Sequence, residues 1–258
     1  MLLAVDVGNT NITLGLFEDE ELRATWRLTT HPLRTADEYG VLLRQLFEAR
    51  GLDATAVMHA VVCSVVPPLE EVFEEVVQRY WRIKPLIVAT GIKTGVRIRV
   101  DNPREVGADR VANTVAGFRL YGGPLIVVDF GTATTFDVIT QEGDYIGGAI
   151  APGLGIAADA LFTHAAKLFR VEIVRPRQAI GHNTVATLQS GLFYGYVGLV
   201  EGLIKRLQAE MEGPAKVVAT GGLADSLARE ITAIDVVNPD LTLVGLRLLH
   251  ELNQPGSA

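Results

Sequence analysis

Two periods of hydrophobic residues alternate along this chain, and each change of period marks a change of element. Residues 2–9 are apolar nearly throughout, the pattern of a strand covered on both faces. Residues 12–17 and 22–28 follow across short polar links, which predicts three antiparallel strands. From Thr35 the period lengthens. Thr35 and Glu38 have the spacing of a capping box, and Val41, Leu42, Leu46 and Phe47 form the apolar face of a helix that Gly51 ends. Next come a buried strand over 57–66, a helix opened by Pro67 and Pro68 with Val72, Val76 and Val77 inward, and a strand over 86–89. The first half therefore reads β-β-β-α-β-α-β.

The second half begins in the same way. Strands are predicted over 124–131, 134–140 and 145–151, helices over about 155–168 and 184–211, and a short strand over 216–219 that runs into Thr220-Gly221-Gly222. The two halves echo each other in detail. Leu3-Ala4-Val5-Asp6-Val7-Gly8-Asn9-Thr10 matches Ile126-Val127-Val128-Asp129-Phe130-Gly131-Thr132-Ala133, with the two aspartates 123 residues apart. One Asp-x-Gly is turn chemistry. Two copies at half-chain spacing, each between an apolar strand and another strand, indicate a duplicated α/β lobe rather than a solenoid, whose periods are shorter. The expected division is 1–120 and 121–258.

Composition narrows the function. The chain has 258 residues and a formal net charge of −7, with no basic run, so nucleic acid is not expected as a partner. The single cysteine, Cys63, lies in an apolar run and reads as core. The five histidines lack metal-ligand spacing. No positively charged leader precedes the first strand, and no stretch of 18 residues is free of charges and breakers. These features set the expectation of a cytoplasmic protein with no membrane partner.

The paired loops carry the candidate chemistry. Gly8 permits a sharp turn and close approach of a ligand. Backbone N–H groups, the Thr10 and Thr13 hydroxyls and the Asn9 and Asn11 amides can grip phosphate oxygens. Asp6 would be repelled by phosphate and suits a metal ion or its waters. Asp129-Phe130-Gly131-Thr132 offers the same groups from the other lobe, so the pair would clamp one polyphosphate. Thr220-Gly221-Gly222 leaves room for an adenine and ribose against backbone. Rival nucleotide motifs are poor: there is no Gly-Lys dipeptide for a P-loop, and Gly153-Leu154-Gly155-Ile156-Ala157-Ala158 follows antiparallel strands. Asp109 falls in the first turn of a helix bearing Val111, Val115 and Phe118. Taken alone, an Asp there reads as helix-start chemistry. Its functional reading is to accept the proton of a hydroxyl attacking phosphorus, as an ionised and therefore weak base whose main work is positioning. Arg110 beside it suits an anionic group.

Five segments together resemble a type III pantothenate kinase. They are Asp6-Val7-Gly8-Asn9-Thr10, the run from Asn102-Pro103-Arg104 to Gly107-Ala108-Asp109-Arg110, Asp129 to Thr135, Gly147 to Gly153, and Asn183 to Gly191. They span most of the chain in the family's order. The resemblance implies two ribonuclease H-like lobes with mixed sheets, the actin-like ATPase fold. It implies phosphorylation of the terminal hydroxyl of pantothenate by ATP, the first step of coenzyme A synthesis. It assigns Asp6, Val7, Gly8, Asn9, Thr10, Asn11, Ile12, Thr13 and Thr132 to ATP. Gly107, Ala108, Asp109, Arg110 and Thr184 go to pantothenate, with Asp109 as proton acceptor. It gives Asp129 a monovalent cation, potassium or ammonium, with magnesium accompanying ATP. It also implies a homodimer. The family usually carries Tyr two residues before Asn-Pro; here that position is Val100, and one wall of the substrate pocket departs from the pattern. Alternatives are a kinase of this fold acting on another hydroxy acid or sugar, and a nucleotide-binding regulatory homologue without catalysis.

Overall fold

A computed structural model describes residues 1–254. They form two five-stranded sheets of one topology. In the first, β1 (Leu2–Val7), β2 (Asn11–Glu18) and β3 (Glu21–Thr29) run antiparallel, while β4 (His59–Ser64) and β5 (Leu86–Ile87) continue from the other edge of β1 in parallel. In the second, β6 (Leu125–Phe130), β7 (Ala133–Ile139) and β8 (Tyr145–Pro152) are antiparallel, and β9 (Lys216–Thr220) and β10 (Val236–Val237) continue from β6 in parallel. The orders β3-β2-β1-β4-β5 and β8-β7-β6-β9-β10 correspond strand for strand. The duplication expected from the two Asp-x-Gly segments is thus a duplication of sheet and connection.

Seven helices complete the described residues: α1 (Ala36–Ala49), α2 (Pro67–Trp81), α3 (Ala108–Tyr121), α4 (Leu154–His164), α5 (Thr184–Glu210), α6 (Ala224–Leu227) and α7 (Leu241–Leu252). They and the sheets gather into two compact units. Among the described residues, one holds 1–97, 101–119 and 240–254; the other holds 98–100 and 120–239.

The first unit has a helix layer on each face of its sheet. Leu3, Val5 and Val7 of β1 and Ala60 and Val62 of β4 meet Tyr39, Leu43 and Phe47 of α1 and Leu69, Phe73, Val76 and Val77 of α2. With side chains alternating across a strand, Asp6 and Cys63 point to the opposite face, where α7 packs. Phe73 is fully buried, and truncating such a ring to alanine costs about 3–5 kcal/mol. The capping box at Thr35 is present: Glu38 N–H donates to Thr35 Oγ1 at 3.4 Å, and Thr35 N–H donates to Glu38 Oε2 at 2.8 Å.

Helix α1 is turned from the face its hydrophobic spacing predicts. Tyr39, Gly40, Leu43 and Phe47 are buried, whereas Val41 is half-exposed. Gly40 explains the rotation, because a Cβ there would lie 2.1 Å from the Tyr80 ring of α2. Helix α4 stops at His164, short of the expected 168, and residues 165–183 contain no regular element.

The second unit packs Ile126, Val128 and Phe130 of β6 and Val217 and Ala219 of β9 against Phe193, Tyr196, Val197, Val200 and Ile204 of α5. Residues 98–100 belong to this unit through the Ile98–Tyr145 bridge and the Arg99 N–H to Tyr145 C=O bond of 2.8 Å. Val100, at the position where a Tyr was expected, is half-buried there beside Gly147.

Candidate functional site

In the first unit the β1–β2 turn is held shut by its own backbone. Gly8 N–H donates to Asn11 C=O at 3.0 Å, and the Thr30 hydroxyl donates to Gly8 C=O at 2.6 Å. A Cβ at Gly8 would lie 2.9 Å from the Asn11 oxygen, so glycine is what lets the turn close. Asn9, Thr10 and Asn11 are exposed at its tip, with Asp6 half-buried behind them. Val7 and Ile12 are fully buried core residues, so of their atoms only the backbone can face a ligand.

Asp109 opens α3 in the same unit. Its Oδ1 accepts the Arg110 N–H at 2.8 Å, and a Cβ on Gly107 would lie 2.5 Å from that oxygen. Gly107 thus makes the space the carboxylate occupies. Removal from water raises the Asp109 pKa; the Arg110 N–H, the Arg110 charge and its own N–H oppose this without cancelling it. The sequence suggested a weak base held ionised by the helix start. Desolvation outweighs that effect and makes Asp109 a stronger base than a solvated aspartate.

Asp6 and Asp109 act on a common neighbour. Cys63 lies opposite Asp6 in the parallel β1–β4 ladder and is fully buried. Its thiol is pushed well up, first by burial, then by the charges of Asp6, Asp109 and Glu70, and by its hydrogen bond to Asp6. It is therefore a neutral donor. Helix α7 fixes α3 here, since a Cβ on Gly245 would fall 2.1 Å from Ala112 C=O and the Thr242 hydroxyl donates to Asn113 Oδ1 at 2.8 Å.

The second unit repeats the arrangement with different chemistry. Asp129 ends β6, and Gly131 N–H donates to Ala133 C=O at 3.1 Å to close the Gly131–Thr132 turn. In the parallel ladder Asp129 lies opposite Thr220, where the first sheet has Cys63 opposite Asp6. The Thr220 hydroxyl is buried and makes no hydrogen bond. Gly221, at φ +91°, would place a Cβ 2.4 Å from Asp129 Oδ1. A carboxylate beside an orphaned hydroxyl offers two oxygen donors, the ligand type hard cations take. The residues present therefore fit a cation. Thr220 was read as part of a loop leaving room for adenine and ribose; its place opposite Asp129 follows from strand register, which the repeated motif did not disclose.

Thr184 is exposed at the first residue of α5, whose N-cap Asn183 accepts the Ala186 N–H at 2.9 Å. It lines a groove of about 430 Å³ with Leu161, Leu168, Thr187, Leu188 and Leu192. Asp6 to Thr13 and Gly107 to Arg110 thus share one unit, and Asp129, Thr132 and Thr184 the other.

Two mixed sheets of matching order, each with an Asp-x-Gly turn between its first two strands, define the actin-like ATPase fold of the sugar kinases. Solved structures share it. A Campylobacter jejuni protein assigned to the Baf family of transcriptional activators superposes with a TM-score of 0.60 at 20% identity, over 97% of this chain and 98% of its own. The inorganic polyphosphate/ATP-glucomannokinase of Arthrobacter sp. strain KM does so with a TM-score of 0.52 at 13% identity, over 98% and 99%. Sequence comparison is more specific. The model of the family described as type III pantothenate kinase matches residues 2–206. A type III pantothenate kinase of Moorella thermoacetica is 58% identical over 253 residues, 98% of this chain and 100% of the relative. The chain belongs to the type III pantothenate kinase family.

Proposed function

We propose that the chain transfers the γ-phosphoryl group of ATP to the terminal hydroxyl of pantothenate, giving 4'-phosphopantothenate and ADP, the first step of coenzyme A synthesis. One observation carries this reading: near-full-length identity of 58% to a curated member of the family, in a chain that has an aspartate in each of the three motifs.

The residues divide the work. The backbone of residues 7–13, the side chains of Asn9, Thr10, Asn11 and Thr13, and Thr132 hold the phosphates of ATP, while Asp6 would face the accompanying magnesium or its waters. Asp109 takes the proton of the substrate hydroxyl as its oxygen attacks the γ-phosphorus and ADP leaves. Its raised basicity suits that step, because a base works best with its pKa nearer the working pH. Arg110, with Gly107, Ala108 and Thr184, binds pantothenate; a guanidinium matches its carboxylate. Asp129 and Thr220 hold the monovalent cation, potassium or ammonium, which neutralises phosphate charge when bound; magnesium arrives with ATP.

The active species is a cytoplasmic homodimer. Supporting this, Ile146 and Ile150 on the edge strand β8 are 42% and 66% exposed, and Ile156 and Val185 add apolar surface in the same unit. No helix among the described residues is long and apolar enough to cross a membrane.

Coupled ADP release tests the reaction. ATP and pantothenate with potassium should give turnover, and omission of potassium should lower it. Turnover on a sugar or another hydroxy acid, with none on pantothenate, would overturn the substrate and point to the altered wall at Val100. Nucleotide binding with no turnover on any acceptor would favour a regulatory homologue. Light scattering should give twice the chain mass.

A further inference from the structure

The Gly131–Thr132 turn is short, and its own ladder gives it little to fix its position. What lies around it does more. Helix α4 begins directly against it: a Cβ on Gly153, the N-cap of α4, would lie 2.3 Å from Thr132 C=O and 2.7 Å from Gly131 C=O. Gly153 brings no side chain to cap α4, so the first N–H groups of that helix need partners from elsewhere.

Tyr196, in the middle of α5, reaches this point. Burial raises its phenol pKa, and the Thr134 hydroxyl and the Leu154 N–H, the first of α4, act on the phenol in the opposite sense. The same hydroxyl is hydrogen-bonded to the Thr134 hydroxyl. Thr134 is fully buried and lies opposite Phe130 across the β6–β7 ladder, at the far side of the turn. The Tyr196 ring meets the Phe130 ring with centroids 6.3 Å apart. One side chain, 5% exposed, thus touches the strand entering the turn, the strand leaving it and the helix start pressed on its carbonyls. A residue that only filled the core would need none of these polar contacts, and a phenylalanine would fill the same space.

We infer that Tyr196 is a positioning residue for the second phosphate turn, fixing Gly131 and Thr132 through Thr134 and the start of α4. The inference rests on the proposed role of that turn in binding ATP. Tyr196 reaches no ligand itself. Its hydroxyl sets where the turn sits, and a small displacement of phosphate-holding backbone weakens binding of the nucleotide more than of the other substrate.

The test compares Tyr196→Phe, Thr134→Val and Thr134→Ser in the full chain, with KM for each substrate, kcat and thermal midpoint measured together. The first two remove one partner of the hydroxyl pair; the third keeps it. Tyr196→Phe and Thr134→Val should each raise KM for ATP about five- to tenfold and leave KM for pantothenate within about twofold. Thr134→Ser should restore the wild-type KM for ATP. The double variant Tyr196→Phe/Thr134→Val should be no worse than either single, because both break one link. Wild-type KM for ATP in both single variants overturns the inference. So does an equal rise in both KM values together with a lower midpoint, and so does a failure of Thr134→Ser to rescue. Should Tyr196→Phe not fold, the comparison of Thr134→Val with Thr134→Ser decides alone. Wild-type protein is assayed beside them: if it neither binds ATP nor turns over, the kinase reading fails instead.

Discussion

Replacing Asp109 with asparagine should make the protein more stable and nearly inactive at once. The carboxylate sits on Gly107 at the start of α3, half-buried, and burial is the first cause of its raised pKa. The sign follows from linkage. A folded-state pKa above the unfolded value means the native state holds the proton more tightly. Stability then falls as pH rises through the window from the unfolded to the folded pKa, and above that window the whole penalty of burying the charge is present. Asparagine removes the charge, is nearly the same shape and keeps an oxygen for the Arg110 N–H now at 2.8 Å. It gives up the attraction of Arg110, which offsets part of the gain. The net effect should be about 1 kcal/mol, within the range for relieving a local functional cost. That is about 2–4 °C in thermal midpoint for a chain of this size. Turnover should fall about 10²- to 10⁴-fold, the usual contribution of a positioned base. In the wild type, the acidic limb of kcat/KM should lie above that expected for a solvated aspartate. Scanning fluorimetry and coupled ADP release check all three. A lower midpoint for Asp109→Asn would refute the desolvation argument, and turnover within tenfold of wild type would remove the proton-acceptor role.

Other expectations follow from the same packing. Asp129→Ala should abolish stimulation by potassium, and Thr220→Val should weaken it while slightly raising the thermal midpoint, because an orphaned buried hydroxyl is lost; a potassium titration of each variant checks this. Gly245→Ala puts a methyl 2.1 Å from Ala112 C=O, so α7 and α3 must separate, at a cost of about 1–3 kcal/mol in urea unfolding and with loss of turnover through the shifted Asp109. His250 is held at a pKa of about 4 by burial and by the charge of His59. Its folded pKa is depressed, so its contribution is intact above the unfolded value of 6.5 and is lost as pH falls from there toward 4. After allowance for partial solvent contact this is about 1–2 kcal/mol, and His250→Gln should flatten the acid side of a stability–pH curve.

Local signals located most of the fold because each sits inside one element. The capping box at Thr35, the prolines at 67 and 68 and the two Asp-x-Gly turns each fix a start or a turn by short-range chemistry, and the structure has them where the sequence puts them. What was not legible depends on a second element. The face of α1 is decided by where Tyr80 of α2 needs a glycine, and nothing in the spacing of residues 36–49 records that demand. Helix α7 returns to the first sheet, and its seat is Gly245 against Ala112, a pairing invisible to any window along the chain.

The candidate site divides in the same way. Asp6 and Asp129 were found because their segment recurs at half-chain spacing, and Asp109 because the run from 102 to 110 resembles a family motif; either feature alone is ordinary turn or helix-start chemistry. The residues that tune them were not, because each is ordinary in its own segment. Cys63 is the last residue but one of an apolar strand, Thr220 ends another, and Tyr196 sits among the apolar residues of a long helix. Their meaning lies in parallel register, which sets a thiol beside one aspartate and a hydroxyl beside the other. This is also where the duplicated lobes diverge. A buried thiol gives Asp6 a neutral donor and little to offer a hard cation, whereas an unpaired hydroxyl beside Asp129 gives such an ion an oxygen. On the proposed assignment, two copies of one turn, on sheets of one topology, would take different tasks through a single neighbouring side chain each.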